Sequence, residues 1–432
     1  MLNHPRFHRF RVAAAASAAL GALVLAGCAP AGDPAATDST ATDATAPGAG
    51  GAGGGETAAV GTCGSVPEIG ANDPNGLLEG MSTEVQAGYN GFPYEIQESA
   101  WADFKSEKSD GFTAAIVGTA PAAPFIAAYQ DALTEALEGA GVEIVLNVAP
   151  NDPSDVPGQL QQFGQALSLK PDIIFFSPVA PEPAIDLVNE AHAAGIPVVS
   201  LVVPIDSPNA ISVVYNAVLQ SMETASALFG DIGGSGEVLE VTGVAGIPNQ
   251  IFWDAGRDHA LELCPEIDIV GSVQGLFQPP LAQQAVVQYL STNPAGVDAV
   301  IQAGTMGWAI RDAFVQSGHE VPPMQDLGAS QGMAAYAAQN PEFTYYGSIT
   351  PPVAMAQGAA QIGLKVLEGA GPKVNQVVWA PHIIDSGTVG DFVDPSWGTD
   401  DGTDLTSDEV YFTDEQTAEF FANPELGPQS AN

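Results

Sequence analysis

Residues 171–203 read PDIIFFSPVAPEPAIDLVNEAHAAGIPVVSLVV, and this stretch decides the fold. Two short runs rich in Val, Ile and Phe, 171–177 and 197–203, stand on either side of an amphipathic segment of helical length, 183–195. Near-continuous apolar strands that alternate with helices are typical of a parallel sheet covered by helices on both faces. The stretch therefore predicts a strand, a crossover helix and a second, parallel strand.

The same unit repeats on both sides of this stretch. Upstream, strands are predicted at 113–118 and 142–148, and helices at 124–141 and 155–170. Downstream, a second series has predicted strands at 236–243, 268–275, 297–304 and 343–350, and predicted helices at 249–263, 279–291, 305–317 and 352–369. The predicted fold class is therefore α/β, with two doubly wound parallel-sheet lobes and a cleft where the carboxyl ends of their strands face one another.

The N-terminus has the three-part pattern of a secretory signal. Residues 1–11 are basic, residues 12–26 are an apolar run, and Leu25-Ala26-Gly27-Cys28 resembles a bacterial lipobox, in which the cysteine becomes the lipidated first residue. We therefore expect a signal peptide over 1–27, a lipid anchor at Cys28 and an extracytoplasmic location on a bacterial cell membrane. The alternative is an ordinary secretion signal with a cysteine there by chance.

Three segments of the 432-residue chain lie between the predicted signal peptide and the C-terminus but outside the two series of strands and helices, and they differ in composition. Residues 28–60 are dominated by Ala, Gly and Thr without a periodic apolar face, which predicts a flexible linker. Residues 61–110 form a predicted N-terminal extension, and residues 391–432 form a predicted acidic C-terminal extension. After the signal, no run approaches the roughly 18 apolar residues that a membrane-spanning helix needs.

The charge balance argues against two kinds of binding partner, nucleic acids and anionic membrane surfaces. The chain has 51 acidic against 10 basic residues, for a formal net charge of −41. Such a surface repels phosphate backbones and anionic lipid headgroups. We therefore expect no nucleic-acid partner and no membrane docking through basic patches, and we expect membrane contact through the N-terminal anchor alone.

Two further cysteines, Cys63 and Cys264, remain once Cys28 is assigned to lipid. In an oxidising extracytoplasmic compartment they form either a disulfide, which would pin the N-terminal extension to the globular body, or two separate thiols. Their neighbourhood offers too few further ligands for a metal site.

Motifs for catalysis are absent from the sequence. The six histidines show no metal-ligand spacing, and neither a Gly-x-Ser-x-Gly elbow nor a phosphate-binding P-loop occurs. The acidic stretch 394–409 is rich in oxygen ligands, but its spacing does not fit a helix-loop-helix calcium site. The sequence therefore predicts a protein that is not an enzyme and has no catalytic residue, metal or cofactor.

The order of the segments resembles a known family, the pentose/hexose-binding (ribose-binding-like, periplasmic binding protein type 1) solute-binding proteins of ABC transporters. The resemblance covers about residues 111–385 and is carried by APAAPF (120–125), NEAHAAGIPVVSL (189–201), VTGVAG (241–246) and the helix QPPLAQQAVVQYLSTNP before VDAVIQAG (297–304). Effector domains of lactose-repressor-type regulators share this architecture, but the lipobox and the missing helix-turn-helix segment argue against a regulator.

The resemblance implies a hinged cleft that closes over a small solute. It implies three crossings between the lobes, near Asn216, near Thr350 and near 371–376. Lobe 1 would then comprise 111–216 plus 350–371, and lobe 2 would comprise 217–349 plus 372–390. The implied function is a monomeric, lipid-anchored receptor that delivers its ligand to a separately encoded ABC permease. A ligand-sensing receptor for a signalling partner is the alternative from another functional class.

The polar ligand residues of the family are mostly missing from this chain. Val202 and Val203 stand where sugar binders usually carry an Asp-Arg pair, and Trp253 lies near the position of a usual Arg. Polar side chains bind sugars because every buried hydroxyl must be hydrogen-bonded, and aromatic faces pack on the ring. A sugar or sugar-like ligand is expected from the resemblance, and a less polar or aromatic metabolite is the alternative.

Seven residues are predicted to bind the ligand. They are Phe125, Asn216, Trp253, Phe277, Thr305, Ser330 and Thr350. Structural roles remain open for these residues; Phe125 and Trp253, for example, would also suit packing within a lobe, and Asn216 would also suit the cap of the following helix.

Overall fold

Twelve strands form two six-stranded sheets in the computed structural model, which describes residues 62–407 and 412–427. The predicted signal peptide, Cys28 and the predicted linker lie outside the described residues. Each sheet belongs to one lobe and is flanked by helices. The prediction of two α/β lobes built on doubly wound sheets is confirmed.

The first lobe is built on an all-parallel sheet in the order β11-β5-β4-β3-β1-β2. Its strands are β1 (Thr113–Val117), β2 (Glu143–Val148), β3 (Ile173–Phe176), β4 (Val198–Leu201), β5 (Ala210–Tyr215) and β11 (Gln376–Trp379). Its helices are α2 (Pro124–Gly139), α3 (Val156–Leu169), α4 (Ile185–Ala193), which follows a 3₁₀ turn at Glu182–Ala184, and α10 (Pro352–Leu367). Every residue of β3 and β4 is buried, as the apolar runs predict.

The second lobe has the sheet order β12-β10-β9-β8-β6-β7. Its strands are β6 (Ser235–Thr242), β7 (Glu266–Gln274), β8 (Ala299–Gln302), β9 (Met324–Asp326), β10 (Tyr345–Ile349) and β12 (His382–Asp385). Its helices are α5 (Ala217–Asp231), α6 (Pro248–Leu263), α7 (Pro279–Thr292), α8 (Gly307–Gln316) and α9 (Gln331–Gln339), and a 3₁₀ turn spans Val389–Phe392. A wholly parallel sheet was expected here, but the edge strand β12 pairs antiparallel with β10.

Local signals explain where the helices begin. The side chain of Asp155 accepts a hydrogen bond from the backbone N–H of Gly158 at 2.9 Å and caps α3. Four helices, α2, α6, α7 and α10, instead begin at a proline, whose fixed φ and missing N–H suit the first helical turn. Each of these four helices begins shortly after the end of the preceding strand, β1, β6, β7 or β10.

The chain crosses between the lobes three times. It passes from β5 to α5 at Asn216 and from β10 to α10 at 350–351. The third crossing differs from the expected one, because Gln376–Trp379 pairs in parallel with Ala210–Tyr215 and so belongs to the first sheet. This crossing therefore lies at 380–381 rather than at 371–376, and the segment 372–379 belongs to lobe 1 rather than to lobe 2.

Both extensions pack onto the lobes. The N-terminal extension contains α1 (Thr83–Ala87), and its Cys63 is joined by a disulfide to Cys264 at the end of α6. The C-terminal extension contacts lobe 2 through Leu405, whose N–H donates to the carbonyl of Ala329, and lobe 1 through α11 (Asp414–Glu419) and the residues after it. Among the described residues, no helix is long and apolar enough to span a membrane.

Candidate functional site

A cavity of about 200 Å³ lies between the lobes, where the carboxyl ends of strands from both sheets meet. Lobe 1 contributes the segments after β1, β3 and β4 and the start of α2, and lobe 2 contributes the segments after β6, β7, β8 and β9 and the start of α6. In lobe 1 the cavity lies beside the point where strand order reverses, between β1 and β3. Open α/β sheets bind ligands at such points.

Five of the seven predicted ligand-binding residues line this cavity: Phe125, Trp253, Phe277, Thr305 and Thr350. Phe125 lies on α2 of lobe 1, Thr350 lies at the second crossing, and the other three come from lobe 2. The cavity therefore combines residues that are far apart in sequence and belong to both lobes.

The structure corrects the other two positions. Asn216 is fully buried at the first crossing, where its Oδ1 accepts a hydrogen bond from the Leu219 N–H at 3.0 Å and caps α5. Ser330 is also fully buried, and its Oγ accepts from the Met333 N–H at 3.2 Å and caps α9. Neither side chain lines the cavity. Both polar groups hold helix ends in place, because a helix terminus leaves backbone N–H groups in need of an acceptor.

An aromatic wall covers the lobe 2 side of the cavity. The rings of Trp253 and Phe277 meet edge to face, with centroids 5.8 Å apart. Phe277 lies directly over Gly243, where an added Cβ would stand 1.9 Å from the ring, so only glycine fits beneath it. The wall therefore depends on a small residue at the end of β6 as well as on its two aromatic rings.

A glutamine that the sequence did not single out positions this wall. Gln220 on α5 is fully buried, and its Oε1 accepts a hydrogen bond from the Trp253 indole N–H at 2.7 Å. Its Nε2 donates to the Ser348 Oγ at 2.6 Å. Because the indole N–H is already bound, Trp253 offers the cavity its carbon face. The sequence did not single out Gln220, because α5 also contains the polar residues Ser221, Thr224 and Ser226, which are buried as well.

Backbone conformation is unusual around the cavity. Four lining residues, Val202, Leu276, Phe277 and Thr305, have φ values of 65°, 56°, 58° and 54°. Among the described residues, Lys170 is the only other non-glycine residue with a positive φ. This left-handed conformation is costly for side chains with a Cβ, above all for β-branched ones, and such residues cluster at functional sites. The clustering supports a functional role for the cavity independently of its shape.

The cavity is electrically neutral. None of the described residues that line it is an Asp, Glu, Lys, Arg or His. Arg257 on α6 is directed away, into ion pairs with Glu240 and with Asp254, the latter at 3.0 Å. Unpaired charges are expensive in an enclosed site, so the cavity suits an uncharged ligand.

A few neutral polar groups are available for hydrogen bonds. The Oδ1 of Asn249 is buried beside the cavity without a partner among the described residues, and Thr305 and Thr350 add hydroxyl groups. Tyr215 adds a phenol, and burial raises its pKa so that the group stays protonated at neutral pH. The site therefore combines aromatic faces with a small number of neutral donors and acceptors, the usual composition of a small-molecule site.

Metal and cofactor sites were not expected from the sequence. Within residues 62–407 and 412–427, no group of three or more His, Cys, Asp or Glu side chains is placed to hold a metal ion.

One protein-family model matches the chain. A family model described as a periplasmic binding protein domain matches residues 114–371. A search of curated proteins returned no significant match.

Solved structures share the fold at low sequence identity. An ABC transporter solute-binding protein from Mycobacterium smegmatis with bound glycerol is 20% identical, with a TM-score of 0.59 over 69% of this chain and 100% of that one. One from Thermobispora bispora is 23% identical, with a TM-score of 0.57 over 66% and 89%. A 5-methylthioribose transporter solute-binding protein from Thermotoga lettingae, with that ligand bound, is 16% identical, with a TM-score of 0.58 over 67% and 90%.

Proposed function

Because the chain belongs to the periplasmic binding protein domain family, we propose that it binds a small uncharged solute in the cavity between its lobes and delivers it to an ABC permease. The family consists of binding proteins, so the prediction that the chain is not an enzyme is confirmed. The observation that carries the proposal is the neutral cavity itself, which is lined from both lobes and concentrates the strained backbone positions.

A two-lobed architecture makes such a receptor switchable. A ligand that contacts both lobes stabilises the closed arrangement, because only that arrangement offers both sets of contacts. Release at a permease then requires that the lobes separate. Lipid attachment at Cys28 would keep a monomeric receptor at the extracytoplasmic face of the membrane, close to that permease.

The composition of the cavity favours a sugar-like ligand with few hydroxyl groups. A free hexose or pentose presents several hydroxyls, each of which needs a partner when buried. Phe125, Trp253, Phe277 and the pair Val202-Val203 leave much of the cavity wall without such partners. The similar protein from Thermotoga lettingae has 5-methylthioribose bound, a pentose in which an apolar methylthio group replaces a hydroxyl.

A less polar or aromatic metabolite is the second candidate ligand. It is favoured by the edge-to-face pair of Trp253 and Phe277, since aromatic faces pack on flat apolar rings as readily as on sugar rings. The two candidates share the neutral charge and the apolar face that the cavity requires.

A thermal-shift screen of the full chain tests the proposal. The panel contains D-ribose, D-allose, myo-inositol, 5-methylthioribose and uncharged aromatic alcohols, together with charged amino acids and carboxylates. A ligand at a hundred times its Kd adds about 2.7 kcal/mol to the free energy of unfolding, which raises Tm by several degrees. The shift should disappear in Trp253→Ala and persist in Trp308→Phe, a tryptophan change in the same lobe outside the cavity. If charged solutes alone raise Tm, or if no compound does, the proposed function is wrong.

A further inference from the structure

The N-terminal extension packs firmly on lobe 1. The Tyr89 hydroxyl donates to the backbone carbonyl of Gln376 on β11 at 2.6 Å, and the Trp101 indole N–H donates to the carbonyl of Asn209 at 2.8 Å. Tyr89 and Trp101 are almost completely buried, as is Ile96 between them in sequence. This part of the extension therefore moves with lobe 1.

The first described residues of the same extension are attached to lobe 2. Cys63 is disulfide-bonded to Cys264 at the end of α6. Next to it, Gly64 lies against Gly230 near the end of α5, where a Cβ on Gly230 would stand 2.6 Å from the Gly64 Cα. One continuous segment is thus held by both lobes, in addition to the three crossings of the main chain.

The extension also contacts two of those crossings. At the first crossing, the Asn216 Nδ2 donates to the carbonyls of Gly88 at 3.0 Å and of Asn90 at 2.8 Å. At the third crossing, Gly88 packs so closely that a Cβ would stand 2.8 Å from the backbone nitrogen of Ala380. The buried amide of Asn216 therefore connects the extension to the pivot of the lobes.

A row of aromatic rings makes a second connection to lobe 2. Tyr89, Phe92 and Tyr94 contact one another edge to face with centroids 6.0 and 6.1 Å apart, and Tyr94 then meets Phe252 on α6 at 6.0 Å. Phe252 directly precedes Trp253 of the cavity wall. The row runs from the part of the extension packed on lobe 1 to the helix that carries the cavity wall of lobe 2.

We propose that residues 62–104 form a brace across the hinge, which limits how far the lobes open and so regulates ligand entry and release. Helix α5 has 15 residues and is about 22 Å long, so the disulfide lies roughly that far from the pivot at Asn216. When lobe 2 rotates about this pivot, Cys63 is therefore displaced further than residues close to Asn216.

The segment between Cys63 and Pro67, which would have to extend when Cys63 is displaced, is short. The Asn90 side chain holds Pro67 and Ile69 to the part of the extension that packs on lobe 1, through hydrogen bonds of 3.1 and 2.7 Å. Between Pro67 and the disulfide only four peptide units remain, which span about 14 Å at full extension. The brace therefore permits a small rotation of the lobes and resists a large one.

Interlobe distance measurements by pulsed electron resonance on the full, oxidised chain test the brace without any ligand. Nitroxide labels are attached through a ketone-bearing amino acid at exposed Glu138 at the end of α2 and Ser291 at the end of α7, which leaves the cysteines untouched. The intact chain should give one narrow distance distribution. Cys63→Ser, which cuts the covalent connection, and Tyr94→Ala, which cuts the aromatic one, should each broaden it, and the double variant should broaden it most.

Tyr336→Ala is the matched control, because it removes an edge-to-face contact with Phe343 in lobe 2, outside the brace and away from both labelled helices. It should leave the distribution unchanged. Because Cys63→Ser also removes a stabilising disulfide, Tyr94→Ala keeps the test decisive if the cysteine variant unfolds. Distributions that are identical in the intact chain and in folded Tyr94→Ala overturn the proposal. The consequence for ligand release rests on the proposed function, whereas this distance measurement does not, so the two can fail separately.

Discussion

The indole N–H of Trp253 donates a 2.7 Å hydrogen bond to Oε1 of Gln220, and this one contact joins the cavity wall to the helix that leaves the first crossing. Gln220 in turn donates to the Ser348 Oγ at 2.6 Å. Gln220 on α5 therefore links the aromatic wall to β10 through polar atoms that are already hydrogen-bonded within the protein.

Replacing this glutamine should weaken both the fold and the site. Gln220→Leu leaves the Trp253 N–H without its acceptor and removes one of the two hydrogen bonds of the Ser348 hydroxyl, which keeps the Gly328 N–H as a partner. The free energy of unfolding should therefore fall by about 1–3 kcal/mol. Ligand affinity should fall roughly tenfold as Trp253 loses its fixed orientation. A double-mutant cycle with Trp253→Phe, measured by urea denaturation, should show coupling above about 0.5 kcal/mol. Additive effects of the two changes would contradict the account.

Gly243→Ala should damage the site more than the fold. The added Cβ would stand 1.9 Å from the Phe277 ring, so the ring must leave its place against Trp253. We expect ligand affinity, measured by calorimetry, to fall at least tenfold. Gly164→Ala is the matched control, because a Cβ there meets nothing within 4 Å and lies within α3. That control should gain about 0.5–1 kcal/mol in stability and keep its affinity.

Three carboxyl groups at partly or fully buried positions should make the protein less stable as the pH rises. Burial raises the pKa of Glu223 on α5 to about 7, and burial likewise raises the pKa of Asp326 to about 7 and that of Asp404 to about 6. A raised carboxyl pKa means that the folded state binds more protons than the unfolded state. Stability is therefore fully present below the ordinary pKa of 4.5 and is lost as the pH rises towards 7.

Glu223→Gln should flatten this dependence. A shift of this size corresponds to about 3 kcal/mol at most, so the variant should be more stable than the wild type at pH 8 and nearly equal to it at pH 5. Urea denaturation at both pH values measures the difference. Glu135→Gln, an exposed change of the same kind on α2, controls for net charge. If the stabilisation at pH 8 is the same in both variants, burial of Glu223 is not its cause.

The sequence predicted the sheet and helix elements that carry long apolar runs, because such runs bury both faces of a parallel strand. Elements outside the regular alternation of strand and helix escaped prediction. The strand β5 follows β4 after a short loop rather than a helix, and β11 has only four residues, which moved the third crossing away from its predicted position. Strand register, rather than composition, decides which sheet such a segment joins.

Cavity lining was predictable where an aromatic residue lies near the start of a helix or the end of a strand. Phe125 and Trp253 lie in the first two turns of α2 and α6, Phe277 follows β7, and all three line the cavity. Asn216 and Ser330 occupy similar places, but their hydrogen bonds to backbone N–H groups make them helix caps. A single sequence does not distinguish a polar residue that caps a helix from one that faces a cavity, since the same residue types serve both roles.

The most direct test of the account is calorimetric titration of the strongest ligand from the screen into variants that remove one aromatic ring from each lobe. Phe125→Ala changes the lobe 1 wall and Phe277→Ala changes the lobe 2 wall of the same cavity. If an uncharged ligand is held between the lobes, each change should raise Kd at least tenfold while the fold is retained. If either variant binds with the affinity of the wild type, the ligand is not held between the lobes, and the central claim is wrong.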